Sequence, residues 1–418
     1  MKNLLDNTLF KWLSWFCNHR HNLLLVYSIV LVFLIAGVVA DSGAQFIGFL
    51  AAYSTVFFLT YFLFETFLRK KDSVHDFLLS FISKIEMRQA NRMAIILMMA
   101  IIAFMDAHFI FLGGVPTIKA WHSHNSFDIY NIRKIATTQS PAYINYPHSF
   151  ILRAIIPFLL LFFYQQKNRK VFIAFFFISV FYCMAFIAKS YLVTALIPLL
   201  LYTFLRKKYF QFIAISIFIF AGLNFLVFVS NPALRGGDTN QVKVVNTLDE
   251  PGDELGRSVN GLATRTFLLP GKIVSEWFKM IPARRPFLKG NGYQFVTSIR
   301  GTEFVDYSSE LYPVIFPDYA KRGYAGRVNS ASFMYDYSNF GWVGIIYSAI
   351  ILAMVFVFVN LIFAGNNFIK LCINLYYVLA LSSSSFLTLA FSGGWGLMVL
   401  LFLFYRKDFS TENNLSLS

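Results

Sequence analysis

The chain has 418 residues, of which 57% are hydrophobic and only 14% are charged. Because an ordinary soluble domain carries about 25% charged residues to solvate its surface, this composition excludes both a disordered chain and a typical soluble enzyme. The net charge of +15 does not indicate nucleic-acid binding, since the Lys and Arg residues lie in short clusters between long apolar runs. We therefore expect lipid to be the solvent of most of the chain.

Ten runs of mostly apolar residues approach the length of about 20 residues that a membrane-spanning helix needs. These predicted spans are 23–40, 43–68, 93–114, 149–165, 171–188, 191–205, 209–230, 339–364, 368–392 and 394–405. We expect the first run to be retained rather than cleaved as a signal peptide, because no small-residue cleavage site follows it. The pattern predicts an all-α polytopic integral membrane protein with about ten transmembrane helices.

The distribution of basic residues predicts the orientation of these spans. With the N-terminus inside, the inner segments hold 18 of the 36 Lys and Arg residues, and the three short outer turns hold only Lys189. The positive-inside rule therefore places both termini in the cytoplasm. The resulting parts are an N-terminal interfacial segment at 1–22, spans one to seven at 23–230 with an outer loop at 115–148, a large outer segment at 231–338, spans eight to ten at 339–405, and a tail at 406–418.

The large outer segment contains a predicted amphipathic helix between residues 260 and 281. Its apolar residues recur at helical spacing, and Arg265, Lys272 and Lys279 are seven residues apart, so they share one stripe. Pro270 either kinks this helix or starts a second one. Such a helix suits an anionic headgroup at the membrane surface, but it also suits a plain interfacial helix with snorkelling cations.

The end of the same segment concentrates polar residues immediately before the eighth span. The spacing of Asn329, Phe333 and Asp336 predicts that they share one face of a short polar helix, in a stretch that also contains Arg327 and Tyr335. Burial raises the pKa of a carboxyl group, so Asp336 is a candidate general base or a group that orients the acceptor. Aromatic and acidic residues alternate over 301–319, which fits carbohydrate binding and equally fits a packed cap.

Several charges are predicted to lie where the outer leaflet meets water. Lys189 lies at the outer end of the fifth span, Arg153 begins the fourth, and Asp106 ends the third. They form either a structural ion pair between helices or a cationic pocket for a phosphorylated lipid. Arg133 adds to the outer positive field. His122, His124 and His148 are too loosely spaced to predict a metal site.

Four short motifs carry a resemblance to a known family. They are Lys189-Ser190 at a span end, Arg265-Thr266-Phe267 opening a loop helix, the turn Gly290-Asn291-Gly292, and Asn329 followed by Gly341-x-x-Gly344. With the topology, they resemble the Wzy-type O-antigen polymerases and, more distantly, the O-antigen ligases. In the ligases a histidine typically precedes the asparagine, whereas this chain reads Gly326-Arg327-Val328, which favours a polymerase.

The resemblance implies a GT-C-like, lipid-dependent and metal-independent glycosyltransferase, without a cofactor, at the periplasmic face of the bacterial inner membrane. Its partners would be undecaprenyl-diphosphate-linked oligosaccharides as donor and acceptor, membrane lipids, and a chain-length regulator, and not nucleic acid. The residues assigned to catalysis are Asp336, Arg265 and Lys189, and those assigned to substrate binding are Arg153, Arg133, Lys272, Arg327, Asn329 and Tyr335. A ligase, or a flippase or other transporter, remains the alternative.

Overall fold

The computed structural model describes residues 11–12, 15–70, 89–235, 268–321 and 323–410. Helices are the main regular elements of these residues, which contain no strand, and this confirms the all-α prediction. Seven of the described helical stretches are long and apolar enough to cross a membrane: Asn22–Ser42, Ile47–Leu68, Ala90–His122, Ala142–Gln165, Tyr209–Ser230, Trp342–Ile362 and Phe386–Phe409.

The individual helices are numbered here in chain order. They are α1 Asn22–Ser42, α2 Ile47–Lys70, α3 Ala90–Phe111, α4 Pro116–His122, α5 Ser126–Lys134, α6 Ala142–Phe150, α7 Ile156–Gln165, α8 Arg169–Met184, α9 Lys189–Leu205, α10 Tyr209–Ser230, α11 Leu269–Met280, α12 Gln294–Arg300, α13 Tyr307–Glu310, α14 Tyr312–Ile315, α15 Pro317–Lys321, α16 Ser332–Phe340, α17 Trp342–Ile362, α18 Asn367–Ala380, α19 Phe386–Ala390 and α20 Trp395–Ser410.

Three of the ten predicted spans fall on helices that are shorter than the rest. Helices α8, α9 and α18 have 16, 17 and 14 residues. At 1.5 Å per residue, even the longest of them covers only about 26 Å, less than the hydrocarbon core of about 30 Å. Seven long apolar helices are therefore established, and the count of ten stays a prediction.

The ninth predicted span, 368–392, is interrupted in the structure. Helix α18 ends at Ala380, and four consecutive serines follow before the chain resumes a helix at Phe386. The Ser385 side chain accepts a hydrogen bond from the backbone N–H of Thr388 and so starts α19. Serine side chains compete with the backbone for hydrogen bonds, which favours a helix start over a continuous helix.

Helix α11 of the large outer segment packs directly on α1. A methyl group on Gly271 would lie 2.5 Å from the Cα atom of Gly37, so only two glycines allow the backbones to approach this closely. Trp277 and Phe278 on α11 are buried against the same core. Pro270 lies in the first turn of α11, so it starts the helix rather than kinking it.

Each end of the bundle has its own group of polar contacts. We call outer the end at which α9 begins, and inner the opposite end. At the inner end, Lys370 is fully buried and its Nζ donates to the backbone oxygen of Arg20 at 2.5 Å, to Oδ1 of Asn360 at 2.7 Å and to Oδ1 of Asn367 at 3.2 Å. The Nε atom of Arg20 lies 2.8 Å from the carboxylate of Glu65. This inner polar cluster joins the chain before α1 to α2, α17 and α18.

Candidate functional site

Two of the predicted arginines converge on one tyrosine at the outer end of the bundle. The guanidinium of Arg153 lies 6.0 Å from the ring centroid of Tyr191 and acts electrostatically on its hydroxyl group. Arg133, from α5, acts electrostatically on the same hydroxyl group. We call these three residues the outer cationic cluster. It brings together two positive charges from chain positions that are 20 residues apart.

A local irregularity positions Arg153. Residues Ile151–Ile155 form a π-helical turn between α6 and α7, four residues after Pro147. A π-turn accommodates one extra residue in a helix and is frequent at functional sites. Gly394 packs directly against the turn. A methyl group added to Gly394 would lie 3.0 Å from Cβ of Ala154. The Tyr377 hydroxyl also donates to the backbone oxygen of Arg153 at 2.6 Å.

Lys189 lies close to this cluster along the chain but on another face. It is the first residue of α9, is exposed, and precedes Tyr191 by two residues. Side chains two positions apart on a helix do not face each other. Lys189 therefore adds its charge at the rim of the cluster rather than at its centre.

Asp336 lies in a separate hydroxyl network on α16. Its Oδ1 atom accepts hydrogen bonds from the hydroxyl groups of Tyr293 at 2.5 Å and Tyr347 at 3.0 Å, and these two hydroxyl groups also contact each other. Burial raises the pKa of the Asp336 carboxyl, and the bonds from Ser348, Tyr293 and Tyr347 only partly offset that rise. The network holds the carboxyl in a fixed orientation.

Asn329 does not share a helix face with Asp336, contrary to the prediction. Helix α16 begins at Ser332, and the residues before it are extended, because the N–H of Val328 bonds the Ser308 oxygen at 2.9 Å instead of continuing a helix. The exposed Asn329 accepts a hydrogen bond from the Tyr335 hydroxyl at 3.3 Å.

A second polar group lies beside the Asp336 network and consists of Arg327, Asp306, Asn329 and Tyr335. The Arg327 side chain is exposed, and its Nε atom lies 3.5 Å from the carboxylate of Asp306. Burial, assisted by the negative charge of Asp306, raises the pKa of Tyr335. The ring of Tyr335 also packs on Trp277 of α11 at 5.2 Å. Asn329, Arg327 and Tyr335 thus lie close together, and their role in substrate binding stays a prediction.

The Gly290-Asn291-Gly292 turn has a structural explanation. The side-chain oxygen of Asn339 accepts hydrogen bonds from the backbone N–H groups of Gly290 and Gly292, both at 3.0 Å. Gly290 has a positive φ of 101°, and a methyl group on Gly292 would lie 2.6 Å from the Asn339 side chain. The turn therefore fixes Tyr293, which follows it, against Asp336.

Helix α11 carries Lys272 and borders a charged cleft. Lys272 is exposed, whereas Arg265 lies outside the described residues. The cleft has a volume of about 540 Å³ and is lined by Glu276, Lys279, Met280, Arg284, Arg285, Glu310, Leu311 and Val314. Arg285 pairs with Glu310 at 2.6 Å across it. Two carboxylates and three cations at the rim can accept from and donate to sugar hydroxyl groups.

The two outer segments are joined through aromatic side chains. The Tyr130 hydroxyl of α5 donates to the backbone oxygen of Ala325 at 2.7 Å, and the rings of Tyr130 and Tyr324 meet edge to face at 5.4 Å. The rings of Tyr312 and Tyr319 lie in the same region. Helix α5, which carries Arg133, is thereby fixed to the segment that carries Arg327.

Sequence reasoning missed the groups that complete these sites. Tyr191, Tyr293 and Tyr347 meet their partners only through the packing of helices distant in sequence, so no local spacing points to them. The signal for Tyr293 was available, since it directly follows the predicted glycine turn. Among the described residues, no group of three or more His, Cys, Asp or Glu side chains is arranged to hold a metal ion.

Comparisons of the chain with models of known protein families, with curated proteins and with solved structures give no match.

Proposed function

We propose that the chain is a polymerase of lipid-linked glycans, which joins undecaprenyl-diphosphate-linked repeat units at the periplasmic face of a bacterial inner membrane. The observation that carries this proposal is the outer cationic cluster. Arg153 lies 6.0 Å from the ring centroid of Tyr191, and Arg133 acts electrostatically on the same residue, beside helices that are apolar enough to lie in lipid. Guanidinium groups bind phosphate oxygens in bidentate fashion, which suits a lipid diphosphate held at the membrane surface.

The reaction is a substitution at the anomeric carbon of the donor sugar. An acceptor hydroxyl oxygen forms the new glycosidic bond while the bond to the diphosphate oxygen breaks. The diphosphate leaves with the electron pair, and fixed cations stabilise its growing negative charge. We assign this role to Arg153, Arg133 and Lys189, with Arg265 as a further candidate. The bilayer confines both substrates to one leaflet, which replaces part of the entropic cost of bringing them together.

The second polar group suits the glycan rather than the diphosphate. Arg327 lies 3.5 Å from the carboxylate of Asp306, and the Tyr335 hydroxyl donates to Asn329 at 3.3 Å, so the group presents one cation, one carboxylate, one amide and one aromatic ring. Such a mixture binds sugar hydroxyl groups and stacks on sugar rings. We propose that this group and the charged cleft beside α11 orient the acceptor, with Asp336 as its predicted base or orienting carboxyl.

A gene deletion read on a surface-polysaccharide gel tests the proposed function. Loss of a polymerase leaves a single repeat unit on the lipid core, loss of a ligase leaves bare core, and loss of a flippase leaves bare core with intermediates trapped inside. Only the single-unit pattern agrees with the proposal. The other two patterns contradict it and identify the alternative.

Point variants then test the assigned cations. Arg265→Ala and Lys189→Ala should reproduce the single-unit pattern while the protein accumulates normally in the membrane. Lys170→Ala is the matched control, because Lys170 is exposed at the start of α8, at the inner end. Polymer of normal length in both outer variants would remove these residues from the mechanism.

A further inference from the structure

Two histidines and a tyrosine from three different helices meet beneath the outer cationic cluster. The Nδ1 atom of His108 lies 3.2 Å from the hydroxyl oxygen of Tyr182, and the Nδ1 atom of His148 lies 3.1 Å from the same oxygen. Both imidazole rings are almost fully buried, at 2% and 1% exposure. Their ring centroids are 4.9 Å apart, and Phe186 packs against both.

The far side of each imidazole ring has no partner. The Nε2 atoms of His108 and His148 are buried and make no hydrogen bond in the described part of the chain. Buried polar atoms are paired in the great majority of cases, and leaving one unpaired costs free energy. Two such atoms on adjacent rings therefore indicate a function for which both Nε2 atoms must stay without a hydrogen-bond partner.

The hydroxyl group between the rings dictates their protonation. Tyr182 has one proton to donate, so it donates to one Nδ1 and accepts from the N–H of the other. The two neutral histidines must consequently be opposite tautomers. One of them presents an unprotonated Nε2, which accepts a proton, and the other presents an Nε2–H, which releases one.

We infer that His148, Tyr182 and His108 form a proton relay for the reaction at the outer cationic cluster, and that the relay takes up the proton lost by the acceptor hydroxyl group; this inference rests on the proposed function. His148 is the end nearer the cluster, since its ring meets Tyr191 at 5.5 Å, edge to face, and Arg153 acts electrostatically on Tyr191. The relay residues act through Tyr191 or a bound water, so they position and carry the proton rather than contact the sugar.

The transfer balances in protons and charge. As the acceptor oxygen bonds to the anomeric carbon, its proton passes through the bridging group, Tyr191 or a bound water, to the unprotonated Nε2. That ring gives its Nδ1 proton to the Tyr182 oxygen, and Tyr182 gives its own proton to the second Nδ1. The second ring then carries the positive charge, and it returns to neutrality when its Nε2 proton passes to a water molecule, which leaves the two rings with exchanged tautomers.

The groups around the relay favour movement of charge away from the reaction. From the π-turn, Arg153 acts electrostatically on His148 and repels positive charge there. The other titratable groups nearby are Tyr191 on α9 and Cys183, which adjoins Tyr182 on α8. Tyr182 offers the charge a route to His108 on α3.

A direct measurement tests the relay without using activity. Solid-state NMR of histidine-labelled, full-length protein in lipid bilayers reports the tautomer of each ring. We expect His108 and His148 to be neutral and of opposite tautomers, and we expect this constraint to disappear in Tyr182→Phe, which keeps the ring packing. Two identical tautomers in the unmodified protein would overturn the relay.

Kinetics test its role in the reaction. For the reconstituted protein with a lipid-linked repeat unit, we expect the rate to fall at acidic pH, where the relay is already protonated. His148→Gln and Tyr182→Phe should each lower the rate by about 100-fold or more and lose that acidic limb. His21→Gln is the matched control, because it breaks a histidine–tyrosine contact of 2.7 Å at the inner end.

The outcomes separate the two proposals. If the unmodified protein forms no polymer, the proposed function fails, and with it the role given to the relay. If the unmodified protein polymerises and both relay variants keep its rate and pH profile, the relay alone is overturned.

Discussion

The inner polar cluster and the histidine relay are both buried at the ends of helices, but they differ in how their hydrogen bonds are satisfied. The Lys370 ammonium group uses all three protons on oxygen atoms within 3.2 Å. In contrast, His108 and His148 each leave Nε2 without a partner. A polar group that is fully paired holds helices together, whereas a pair of open nitrogens destabilises the fold unless something uses them.

This contrast separates residues that hold the bundle from residues that act in it. Lys370 joins the chain before α1 to helices α17 and α18, which are more than 300 residues away in sequence. The outer histidines join helices too, but each keeps an Nε2 atom that has no partner in the described part of the chain. Substitutions at the two ends should therefore fail in different ways.

The largest expected effect is on folding, at the inner end. Lys370→Met removes a fully buried charge. Three oxygen atoms lose their hydrogen-bond donor, and the Glu65–Arg20 pair loses a neighbouring positive charge. Breaking a buried ionic group in this way costs about 3 kcal/mol or more. The thermal unfolding midpoint in detergent should drop by many degrees, and the yield should fall.

The control for this substitution is Lys170→Met, which removes an exposed lysine at the same end. Its midpoint should equal that of the unmodified protein. If Lys370→Met is equally stable, the inner cluster does not hold the bundle and the contrast between the two ends is lost.

The next effect is on activity, at the outer end. Arg153→Ala should reduce polymerisation by about 100-fold to 1,000-fold, because it removes a fixed donor to the leaving diphosphate. Arg153→Lys should recover little of the polymerisation rate, since an ammonium group cannot bind two oxygen atoms in the way a planar guanidinium does. The measurement is the rate of polymer formation by the reconstituted protein, with the unfolding midpoint as a check on the fold.

Arg169→Ala, at an exposed position on the inner side, is the matched control and should polymerise normally. Unchanged polymer formation by a folded Arg153→Ala variant would remove the outer cationic cluster from the mechanism.

The smallest effect concerns Asp336 and pH. Because burial raises its pKa in the folded state, the folded protein binds this proton more tightly than the unfolded chain does. The associated stability is complete below the unfolded pKa of about 3.9 and is lost as pH rises through the folded pKa. Asp336→Asn should abolish this loss. The free energy of unfolding of the variant should therefore fall less steeply with rising pH than that of the unmodified protein, by up to about 1.4 kcal/mol per pH unit.

Asp318→Asn, at an exposed carboxyl, is the matched control for the loss of a carboxyl group. The same Asp336 variant tests the predicted base, because an amide cannot take a proton. Loss of polymerisation with a flatter stability curve would support Asp336 as the base and would contradict the histidine relay, whereas retained polymerisation would leave Asp336 an orienting group.

The sequence predicted the helical class and most helix positions because apolar length is a local property. It could not decide the number of crossings, since α8, α9 and α18 are too short to be judged by length alone. The number of crossings decides the topology, because both termini lie on one side of the membrane only if that number is even. The seven long helices of the described residues give an odd number. The short helices must supply an odd number of crossings if the predicted orientation is right.

The candidate site was predictable in part for a similar reason. Charges at span ends identified Arg153 and Lys189, because a charge at that depth is conspicuous in an apolar run. Their partners were not predictable, since Tyr191 and Tyr377 meet Arg153 only after α9 and α18 pack against the π-turn. Asn329 was misplaced because the sequence does not show that Val328 bonds Ser308 and delays the start of α16.

The π-turn at Ile151–Ile155 sets the rotational alignment of the two halves of one helix. Each residue of an α-helix turns the next by about 100°. Rewinding this turn as a regular α-helix of the same length would swing the preceding half-helix around its axis by about that angle, carrying His148 away from its neighbours. The spare residue thus acts as a spacer that keeps His148 opposite Tyr182.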